Sequence, residues 1–435
     1  MKVAFVTLGC RVNQYETEAM AEKFIKEGFQ VVTHSDAADV YVINTCTVTN
    51  MGDRKSRQMI SKVKKLNGEA IIAVVGCYSQ VASNEISKID GVDVILGTKN
   101  KGQIVYFVNR AMNEKKQIIA VNDVFTDKTF EELNIEEYQD RTRAFLKIQD
   151  GCNRFCSYCL IPYARGGVCS KEPEKVLKEV KKLADHGFKE IILSGIHTAS
   201  YGVDIKGDYN LVSLLEEIDE IQGINRVRIG SIDPTFFTEG VIERISSLKK
   251  LCPHFHLSLQ SGCDETLKRM NRKYTSEEYK NIVTDLRNNI KDVSITTDVI
   301  VGFPGETDEE FDTTYNFLKE IKLSKMHIFK YSPREGTKAS EMKNQIDGNT
   351  KEKRSKALIE LNDRLEREFI SRFIGTKAEV LYEDVFKENN NLYEGYTPNY
   401  IKVVSRSNKS LCSKIENTEL LEIEDEYLLG EIHHI

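Results

Sequence analysis

The first 112 residues alternate short apolar runs with amphipathic segments. We predict buried strands at residues 2–8, 40–44 and 71–75, because these runs are rich in Val and Ile. Between them, residues 16–27 and 54–65 have apolar side chains at helical spacing. Strands that alternate with helices form a parallel sheet. The pattern therefore predicts an amino-terminal parallel α/β domain.

The same alternation returns after an acidic segment, residues 113–143, that has little apolar periodicity and is predicted to be a linker. The predicted strands are residues 145–149, 190–194, 226–231, 255–260, 294–301 and 327–331. The predicted helices between them are residues 173–186, 211–221, 239–248, 276–288 and 308–321. Six strand–helix units are too few to close an eight-stranded barrel. We therefore expect a partial (β/α)6 barrel that is open at one side.

The last part of the chain changes pattern again. A basic amphipathic helix is predicted at residues 351–372, followed by alternating apolar and polar positions at 376–385, 391–405 and 418–435. This alternation predicts a small antiparallel β-barrel. The expected fold class is thus α/β, with domains at residues 1–112, 138–368 and 371–435.

Composition narrows the class of protein. The 435 residues include 61 Lys and Arg against 67 Asp and Glu, a net charge of −6, so no global positive field indicates a nucleic-acid partner. Ten cysteines are too few for a disulfide scaffold, and we expect a reducing, cytoplasmic compartment. No apolar run approaches the length of a membrane span, so no membrane partner is expected.

Three cysteines lie within eight residues directly after the first barrel strand. Cys152, Cys156 and Cys159 form a C-x3-C-x2-C run. Three thiolates at this spacing can hold three irons of a 4Fe-4S cluster, whereas electron-transfer clusters usually have four cysteine ligands. The fourth iron would then be open to another ligand. The alternatives are a zinc site or three ordinary thiols.

A second set of cysteines is spread along the amino-terminal domain. Cys10, Cys46 and Cys77 each follow a predicted strand. The carboxyl ends of parallel strands share one edge of a sheet, so the three thiols can meet there and form a second cluster site. The alternative is that each is a buried small residue. Cys169, Cys252, Cys263 and Cys412 lack partner spacing and are predicted to be ordinary thiols, and His254 with His256 is predicted to pack rather than to bind metal.

Further candidates for cofactor contact follow the barrel strands. They are Ser194 and Gly195, Ser258 and Gln260, Asp298, and Gly302 in a Gly-Phe-Pro-Gly loop. Glycines at such positions let a ligand approach the backbone, although Gly302 can equally serve turn chemistry alone.

The C-x3-C-x2-C run, with Tyr158 before its last cysteine, resembles the radical S-adenosylmethionine (SAM) superfamily, in which SAM binds the open iron. All 435 residues resemble the methylthiotransferases, which have a methylthiotransferase domain, a radical SAM domain and a TRAM domain. The resemblance implies two 4Fe-4S clusters, one on Cys10, Cys46 and Cys77 and the other on Cys152, Cys156 and Cys159. It also implies SAM as cofactor, a contact between SAM and Tyr158, and an unidentified electron donor and sulfur donor.

Three stretches resemble the branch of this family that acts on tRNA carrying N6-threonylcarbamoyladenosine. They are Thr7-Leu8-Gly9-Cys10-Arg11-Val12-Asn13-Gln14, Ile43-Asn44-Thr45-Cys46-Thr47-Val48-Thr49 and Gly395-Tyr396-Thr397-Pro398-Asn399-Tyr400. The implied reaction adds a methylthio group to carbon 2 of that purine, next to the anticodon. Arg11 and Asn13, beside Cys10, are candidate substrate contacts. Sibling branches modify isopentenyladenosine in tRNA or an aspartate of a ribosomal protein.

Two observations leave alternatives open. The family usually has an Arg-Ser-Arg-like run where this chain has Cys169-Ser170-Lys171, so the role of the first arginine is in question. The segment from Ser371 onward has a net charge of −5, which is unusual for an RNA-binding module. Basic clusters lie instead at residues 54–65 and 351–372, and the aromatic residues of 393–400 are a candidate base-stacking surface. An iron–sulfur electron carrier or a zinc-containing RNA-binding protein are the alternatives outside this enzyme class.

Overall fold

The computed structural model describes residues 1–47, 50–133, 135, 142–388 and 391–432. The chain divides into two compact units. Unit 1 comprises Met1–Tyr138, Lys147–Lys171 and Ser332–Glu341, and unit 2 comprises Gln139–Leu146, Glu172–Tyr331 and Met342–Ile435. Val48 and Thr49 of the second family-like stretch, and residues 134 and 136–141 of the predicted linker, lie outside the described residues. None of the helices in the described ranges is long and apolar enough to span a membrane.

Unit 1 is built around a parallel α/β sheet. Its elements are β1 (Lys2–Thr7), α1 (Arg11–Lys26), β2 (Gln30–Val32), β3 (Val40–Thr45), α2 (Asn50–Leu66), β4 (Ile71–Gly76), α3 (Cys77–Val81), α4 (Ser83–Ile86), β5 (Val94–Leu96), α5 (Ile104–Glu114) and β6 (Ile118–Ala120). The strand order is β2-β1-β3-β4-β5-β6, and all pairings are parallel. The predicted parallel α/β fold of this region is confirmed.

Both faces of this sheet are covered by helices. On one face, α1 and α5 pack on alternate side chains of β3 and β4, such as Val42 and Ala73. On the other face, α2 packs its Ile60 and Val63 on the intervening side chains, such as Ile43. Because both faces are buried, β3 is buried along its whole length, as expected for the centre of a parallel sheet.

Three short strands were not predicted, because β2, β5 and β6 have only three residues each and show no periodicity. Strand β6 lies inside the predicted linker and forms one edge of the sheet. Leu133 and Ile135 of the same segment pack on Tyr15 of α1, whose hydroxyl donates to the Leu133 carbonyl at 2.5 Å. Strand β6 and residues 133 and 135 of this segment therefore belong to unit 1, and this part of the segment is not a detached linker.

The next elements carry the chain from one unit to the other. They are β7 (Arg143–Asp150), α6 (Ile161–Arg165) and β8 (Cys169–Ser170). The boundary between the two units falls within β7. Strand β8 pairs with the end of β7, with Cys169 opposite Asp150.

Unit 2 continues the strand–helix alternation. Its elements are α7 (Pro173–Asp185), β9 (Glu190–Gly195), α8 (Leu211–Asp219), β10 (Arg226–Ile229), β11 (Ser231–Ile232), α9 (Val241–Ser246), β12 (His254–Leu257), α10 (Asp264–Arg269), α11 (Ser276–Asn289), β13 (Ser294–Val301), α12 (Asp308–Ile321), β14 (Lys325–Lys330) and α13 (Gly348–Ser371). Strand β9 lies between β10 and β7, and a second sheet has the order β11-β12-β13-β14. These parallel strands confirm the predicted partial barrel.

The strand predicted at residues 226–231 is divided into β10 and β11, which belong to different sheets. The predicted end of β12 was also wrong. Strand β12 ends at Leu257, three residues before the predicted end. The Leu259 N–H donates to the Thr297 hydroxyl at 2.9 Å instead of continuing the ladder, and Gln260 has a φ of +73°. Side-chain hydrogen bonding and the left-handed backbone therefore end the strand early.

A closed five-stranded barrel ends the described chain. Its strands are β15 (Lys377–Val385), β16 (Leu392–Tyr396), β17 (Lys402–Arg406), β18 (Ile415–Glu424) and β19 (Tyr427–Ile432), in the order β15-β16-β17-β19-β18. The barrel confirms the fold class predicted for this segment. It departs from the predicted antiparallel pattern only where β17 pairs with β19 in parallel.

Candidate functional site

Cys10, Cys46 and Cys77 lie at the carboxyl ends of three adjacent strands. β1, β3 and β4 are neighbours in the sheet, and the chain reaches one of these cysteines shortly after each strand ends. Cys10 is exposed, Cys46 is half-buried and Cys77 is buried. The sequence thus predicted correctly that the three thiols share one edge of one sheet.

Two glycines allow these loops to approach each other. Gly9, with φ +105°, lies so close to Cys46 that a Cβ at Gly9 would be 2.7 Å from the Cys46 Cβ and 2.9 Å from its Sγ. Gly76, with φ +100°, lies equally close to the side chain of Asn44 and the carbonyl of Thr45. The residue before Cys10 and the residue before Cys77 must therefore both be glycine.

Asn13, predicted as a substrate contact, is buried among these loops. Its Nδ2 donates to the carbonyls of Leu8 at 2.7 Å and Thr45 at 3.0 Å, which join the Cys10 loop to the Cys46 loop. Its Oδ1 lies 3.9 Å from the Cys10 Sγ. These contacts make Asn13 a positioning residue for the cysteine loops, and its contact with substrate stays a prediction. Arg11 is the exposed first residue of α1 and donates to Gln14 Oε1 at 3.1 Å.

Arg165, the last residue of α6, is buried beside Cys77. Its Nε donates to the Cys77 Sγ at 3.3 Å, and its Nη2 donates to Asn13 Oδ1 at 2.7 Å. Burial raises the pKa of the Cys77 thiol, and the guanidinium of Arg165 opposes that effect. A cation that donates to the sulfur favours the thiolate form, which is the form that binds iron.

Arg165 belongs to a buried network of five charged side chains. Its Nη1 lies 2.7 Å from Glu16 Oε1 and 3.2 Å from Asp150 Oδ2. Two lysines complete the network: Lys101 and Lys147 lie 2.8 and 2.9 Å from Glu16. Burial would raise the pKa of Glu16, but the three cations outweigh it and hold that pKa well below its ordinary value. The network thus contains three cations and two carboxylates. Because the Arg165 guanidinium also contacts Cys77, it places a positive charge beside that thiol.

Cys152, Cys156 and Cys159 lie in the loop between β7 and α6, in unit 1, and each is half-buried. The backbone N–H groups of Arg154 and Ile161 donate to the sulfurs of Cys152 and Cys159, both at 3.4 Å. Gly151 packs so closely on Gly167 that a Cβ there would be 1.8 Å from the Gly167 carbonyl oxygen. Backbone donors to sulfur are typical of cluster-bound thiolates.

Residues 332–341, which also belong to unit 1, contact the loop that carries Cys46 and the C-x3-C-x2-C loop. Arg334 is buried; its Nη2 donates to the Thr47 hydroxyl at 2.5 Å and lies 2.7 Å from Asp53 Oδ2. Thr47 directly follows Cys46. Further along the same segment, the Ala339 N–H donates to the Ser157 carbonyl at 2.7 Å, inside the C-x3-C-x2-C loop.

The chemistry of both cysteine sets fits iron–sulfur clusters. None of the ten cysteines, all of which are described, is in a disulfide. Within the described residues, no group of three His, Cys, Asp or Glu side chains is arranged to hold a single metal ion. In a 4Fe-4S site each cysteine binds a different iron, so the sulfurs need not converge on one point.

The other predicted cofactor contacts lie within or just after barrel strands in unit 2, apart from Tyr158, which is half-buried in the cysteine loop of unit 1. They are Ser194 and Gly195 at the end of β9, Ser258 and Gln260 after β12, Asp298 in β13 and Gly302 after it. The Gly302 N–H donates to the Glu306 carboxylate at 2.7 Å, and Asp298 lies 3.3 Å from His256 Nε2. Their contacts with a cofactor stay predictions.

Three other sequence features have internal partners. Tyr396 and Tyr400 of the aromatic stretch are stacked with ring centroids 4.8 Å apart, and the Arg143 guanidinium lies 4.9 Å from the Tyr396 centroid. This packing within unit 2 argues against the base-stacking surface suggested by the sequence. His254 packs its ring 4.8 Å from that of Tyr400. Cys169 is buried in β8, and its Sγ donates to the Lys128 carbonyl at 3.0 Å.

Sequence reasoning missed the buried charge network and Arg334. The sequence does contain an indication of this network: charged residues at positions that the apolar pattern predicts to be buried. Lys147 interrupts the apolar strand β7, and Glu16 lies on the inward face of α1. A buried charge is costly unless it is paired, so such positions indicate a partner elsewhere in the chain.

Comparisons with known proteins identify the family. The model of the Radical SAM superfamily matches residues 146–318, and that of the Uncharacterized protein family UPF0004 matches residues 2–97. Threonylcarbamoyladenosine tRNA methylthiotransferase MtaB of Bacillus subtilis (strain 168) is 45% identical over 96% of this chain and 93% of that protein. The protein of the same name from Aquifex aeolicus (strain VF5) is 44% identical over 91% of this chain and 95% of that protein.

A relative with a different name is more distant. The tRNA-2-methylthio-N(6)-dimethylallyladenosine synthase of Thermoanaerobacter pseudethanolicus is 35% identical over 98% of this chain and 91% of that protein. Among solved structures, the radical S-adenosylmethionine methyltransferase TsrM from Kitasatospora setae has a similar fold. Its TM-score is 0.55 at 16% identity, over 78% of this chain and 77% of that one.

The fold and the C-x3-C-x2-C loop define a radical SAM protein. The chain belongs to the radical SAM tRNA methylthiotransferase family, because relatives at 45% and 44% identity match it over nearly its whole length. Membership in the superfamily implies SAM and a 4Fe-4S cluster as cofactors.

Proposed function

We propose that this enzyme transfers a methylthio group to carbon 2 of N6-threonylcarbamoyladenosine next to the tRNA anticodon. The observation that carries this proposal is the 45% identity to MtaB of Bacillus subtilis, against 35% for the dimethylallyladenosine synthase. The proposed domains are residues 1–112, 138–368 and 371–435; at their boundaries, residues 138–141 and 433–435 lie outside the described residues.

The proposal assigns a ligand role to six cysteines. Cys152, Cys156 and Cys159 hold the cluster that binds SAM, and Cys10, Cys46 and Cys77 hold a second cluster. When bound, the cluster that binds SAM would supply the electron for reductive cleavage of SAM, and the second cluster would supply the sulfur. SAM would be the source of both the radical and the methyl group. Support comes from unit 1, which contains both cysteine sets. Arg165, at the end of the helix that follows the C-x3-C-x2-C loop, donates to Cys77 of the other set.

The protein's own side chains position these groups. Asn13 holds the Cys10 and Cys46 loops together, at a distance that the missing side chain of Gly9 permits, and Arg165 stabilises the Cys77 thiolate. A purine C–H bond is too weak an acid for a side-chain base, so no catalytic His or Glu is required. Tyr158 and the predicted residues of unit 2 are proposed to contact SAM, and Arg11 is proposed to contact the substrate.

The remaining partners follow from this chemistry. An electron donor must reduce the cluster, and a sulfur donor must replace the transferred sulfur atom. A reducing compartment, such as the cytoplasm, suits iron–sulfur cofactors and cysteines outside disulfides.

A second candidate substrate is isopentenyladenosine in tRNA, which the relative at 35% identity favours. Mass spectrometry of tRNA nucleosides from cells lacking this protein separates the two candidates. We expect loss of 2-methylthio-N6-threonylcarbamoyladenosine, accumulation of the unthiolated nucleoside, and restoration by the wild-type gene but not by a Cys46→Ala gene. Loss of the methylthiolated isopentenyl nucleoside instead would overturn the proposed substrate. Unchanged tRNA with a modified ribosomal protein would overturn tRNA as the substrate.

A further inference from the structure

Helix α2 begins four residues after Cys46 and has two chemically different faces. Ser56, Ile60 and Val63 are buried, and the last two pack in the core beneath the sheet. The opposite face is exposed to solvent and forms a shallow groove. Its lining residues are Arg54, Arg57, Gln58, Ser61, Lys62 and Lys65. They recur at helical spacing, so they form one stripe along the helix.

The charge of this stripe is almost entirely positive. α2 contains six Lys and Arg but only one carboxylate, Asp53, although the whole chain has a net charge of −6. Asp53 is paired with Arg334, and Lys64 is paired with Asp90. Arg57 donates to the Tyr78 hydroxyl at 2.7 Å. No carboxylate among the described residues pairs with the four cations that we call the basic face of α2: Arg54, Lys55, Lys62 and Lys65.

Helix α13, which also has many charged residues, differs from α2 in carrying charges of both signs. α13 has six Lys and Arg against five Asp and Glu. Three of its carboxylates, Glu352, Glu366 and Glu368, pair with lysines of unit 2. Mixed signs reduce self-repulsion on a helix, whereas like charges spaced by one turn destabilise it. The basic face of α2 therefore lacks the nearby negative charges that α13 has. A bound anion can supply these charges.

We propose that the basic face of α2 binds the phosphate backbone of the tRNA substrate. Repeated cations along one helix match a polyanion with repeated charges, and phosphate contacts supply most of the sequence-independent affinity for RNA. α2 starts at the sheet edge that carries Cys10, Cys46 and Cys77, and Arg334 fixes its first turn to Thr47. A strand bound along α2 thus leads to the candidate active site. The inference rests on the proposed function and assigns the binding segment.

Two quadruple variants of the full-length protein test this inference. In the first, Arg54, Lys55, Lys62 and Lys65 are all changed to Gln. In the matched control, four exposed lysines of α7 are changed to Gln: Lys175, Lys178, Lys181 and Lys182. α7 also contains Glu174, Glu179 and Asp185, so it has mixed charge. The probe is tRNA carrying N6-threonylcarbamoyladenosine, with binding measured by fluorescence anisotropy between about 50 and 200 mM salt.

For the α2 variant we expect affinity to fall by at least about tenfold. We also expect the slope of log K against log salt to decrease in magnitude by about 3, because each lost phosphate contact removes about 0.7 to 0.9. Reductive SAM cleavage, iron content and the thermal unfolding midpoint should match those of the wild type, and the α7 control should bind as the wild type does.

Three outcomes would overturn the inference. The first is an α2 variant with wild-type affinity and salt slope, and the second is an equal loss in the α7 control. The third is an α2 variant that binds the tRNA as the wild type does but no longer binds vesicles of anionic phospholipid that the wild type binds. That result would assign the basic face of α2 to lipid phosphate. If the wild type itself neither binds nor methylthiolates this tRNA, the proposed function fails first, so the two failures are distinguishable.

Discussion

The Nε of Arg165 lies 3.3 Å from the Sγ of Cys77, although 88 residues separate them in the chain. Arg165 ends the helix that follows the C-x3-C-x2-C loop, and Cys77 follows a strand of the amino-terminal sheet. One buried cation therefore links the two cysteine sets through Asp150, Glu16 and Asn13. This link connects the geometry of one set to that of the other.

Replacing Arg165 with Met should destabilise the protein and the amino-terminal cluster together. Removing one partner from a buried ion network typically costs about 3–5 kcal/mol, because the remaining charges lose their compensation. We expect a lower thermal unfolding midpoint and loss of about half of the bound iron, with Arg165→Lys recovering part of both. Arg110→Met, at an exposed pair with Glu114, is the control and should change neither. Wild-type stability and iron content in Arg165→Met would contradict the role of this network.

Gly9→Ala should disrupt the amino-terminal site by a steric clash. The added Cβ would be 2.7 Å from the Cys46 Cβ, and the φ of +105° is itself unfavourable for Ala. Gly28→Ala is a matched control, because Gly28 has φ +80° and a Cβ added there would meet nothing within 4 Å. We expect Gly9→Ala to lose iron and product, and Gly28→Ala to lose only about 1 kcal/mol of stability. Equal iron content in the two variants would argue against close packing of the Cys10 and Cys46 loops.

The two cysteine sets should be separable by mutation. Cys156→Ala should halve the iron content and abolish SAM cleavage, because two cysteines cannot hold the cluster in the geometry that SAM needs. Cys46→Ala should keep at least part of the SAM cleavage but eliminate the methylthiolated product. Cys412→Ala, at a half-buried thiol of the carboxyl-terminal barrel, serves as the control. Iron, sulfide and 5′-deoxyadenosine are measured on anaerobically purified protein. If Cys46→Ala lost neither iron nor product, the amino-terminal cluster assignment would be wrong.

His254 should make unit 2 less stable in mild acid. Burial lowers the pKa of His254 well below its ordinary value, and the neighbouring basic side chains add to this effect. These neighbours are Arg228, His256, Arg143 and His327. In the unfolded chain the His254 imidazole is protonated as the pH falls below about 6.5, whereas in the folded chain it stays neutral at that pH. Stability is therefore complete above about pH 6.5 and falls below it by up to about 1.4 kcal/mol per pH unit, until the folded pKa is reached.

His254→Gln should flatten this contribution, whereas His34→Gln, at an exposed site of unit 1, should leave it unchanged. Urea unfolding midpoints followed by circular dichroism from pH 5 to 7.5 give the comparison. A pH dependence in His254→Gln that is as steep as in the wild type would show that other groups cause it.

Arg11 tests the choice of substrate. The threonylcarbamoyl group carries a carboxylate, and an enclosed anion needs a cation or N–H donors. Arg11 is exposed and lies next to Cys10, so its side chain is accessible to a bound substrate. We expect Arg11→Ala to raise KM for the modified tRNA with unchanged SAM cleavage, and Arg11→Lys to recover part of the affinity. An Arg11→Ala enzyme with the wild-type KM would remove this residue from the substrate site.

The sequence by itself determined the elements with strong periodicity and the residues with diagnostic spacing. Helix α12 begins and ends where its pattern predicts, because Thr307 and Glu310 form a capping box that is readable from the sequence. The three-residue strands β2, β5 and β6 were missed, because so few residues establish no period. For the same reason, β6 was predicted to be part of a linker.

The cysteine positions were predictable because parallel strands bring their carboxyl ends to one edge whatever the loops between them do. The buried charge network beside Cys77 was not predictable. Arg165, Glu16 and Lys147 come from three distant segments, and only burial in the folded chain forces them to pair. Long-range electrostatic pairing depends on which side chains share a desolvated space, and only the tertiary structure determines that.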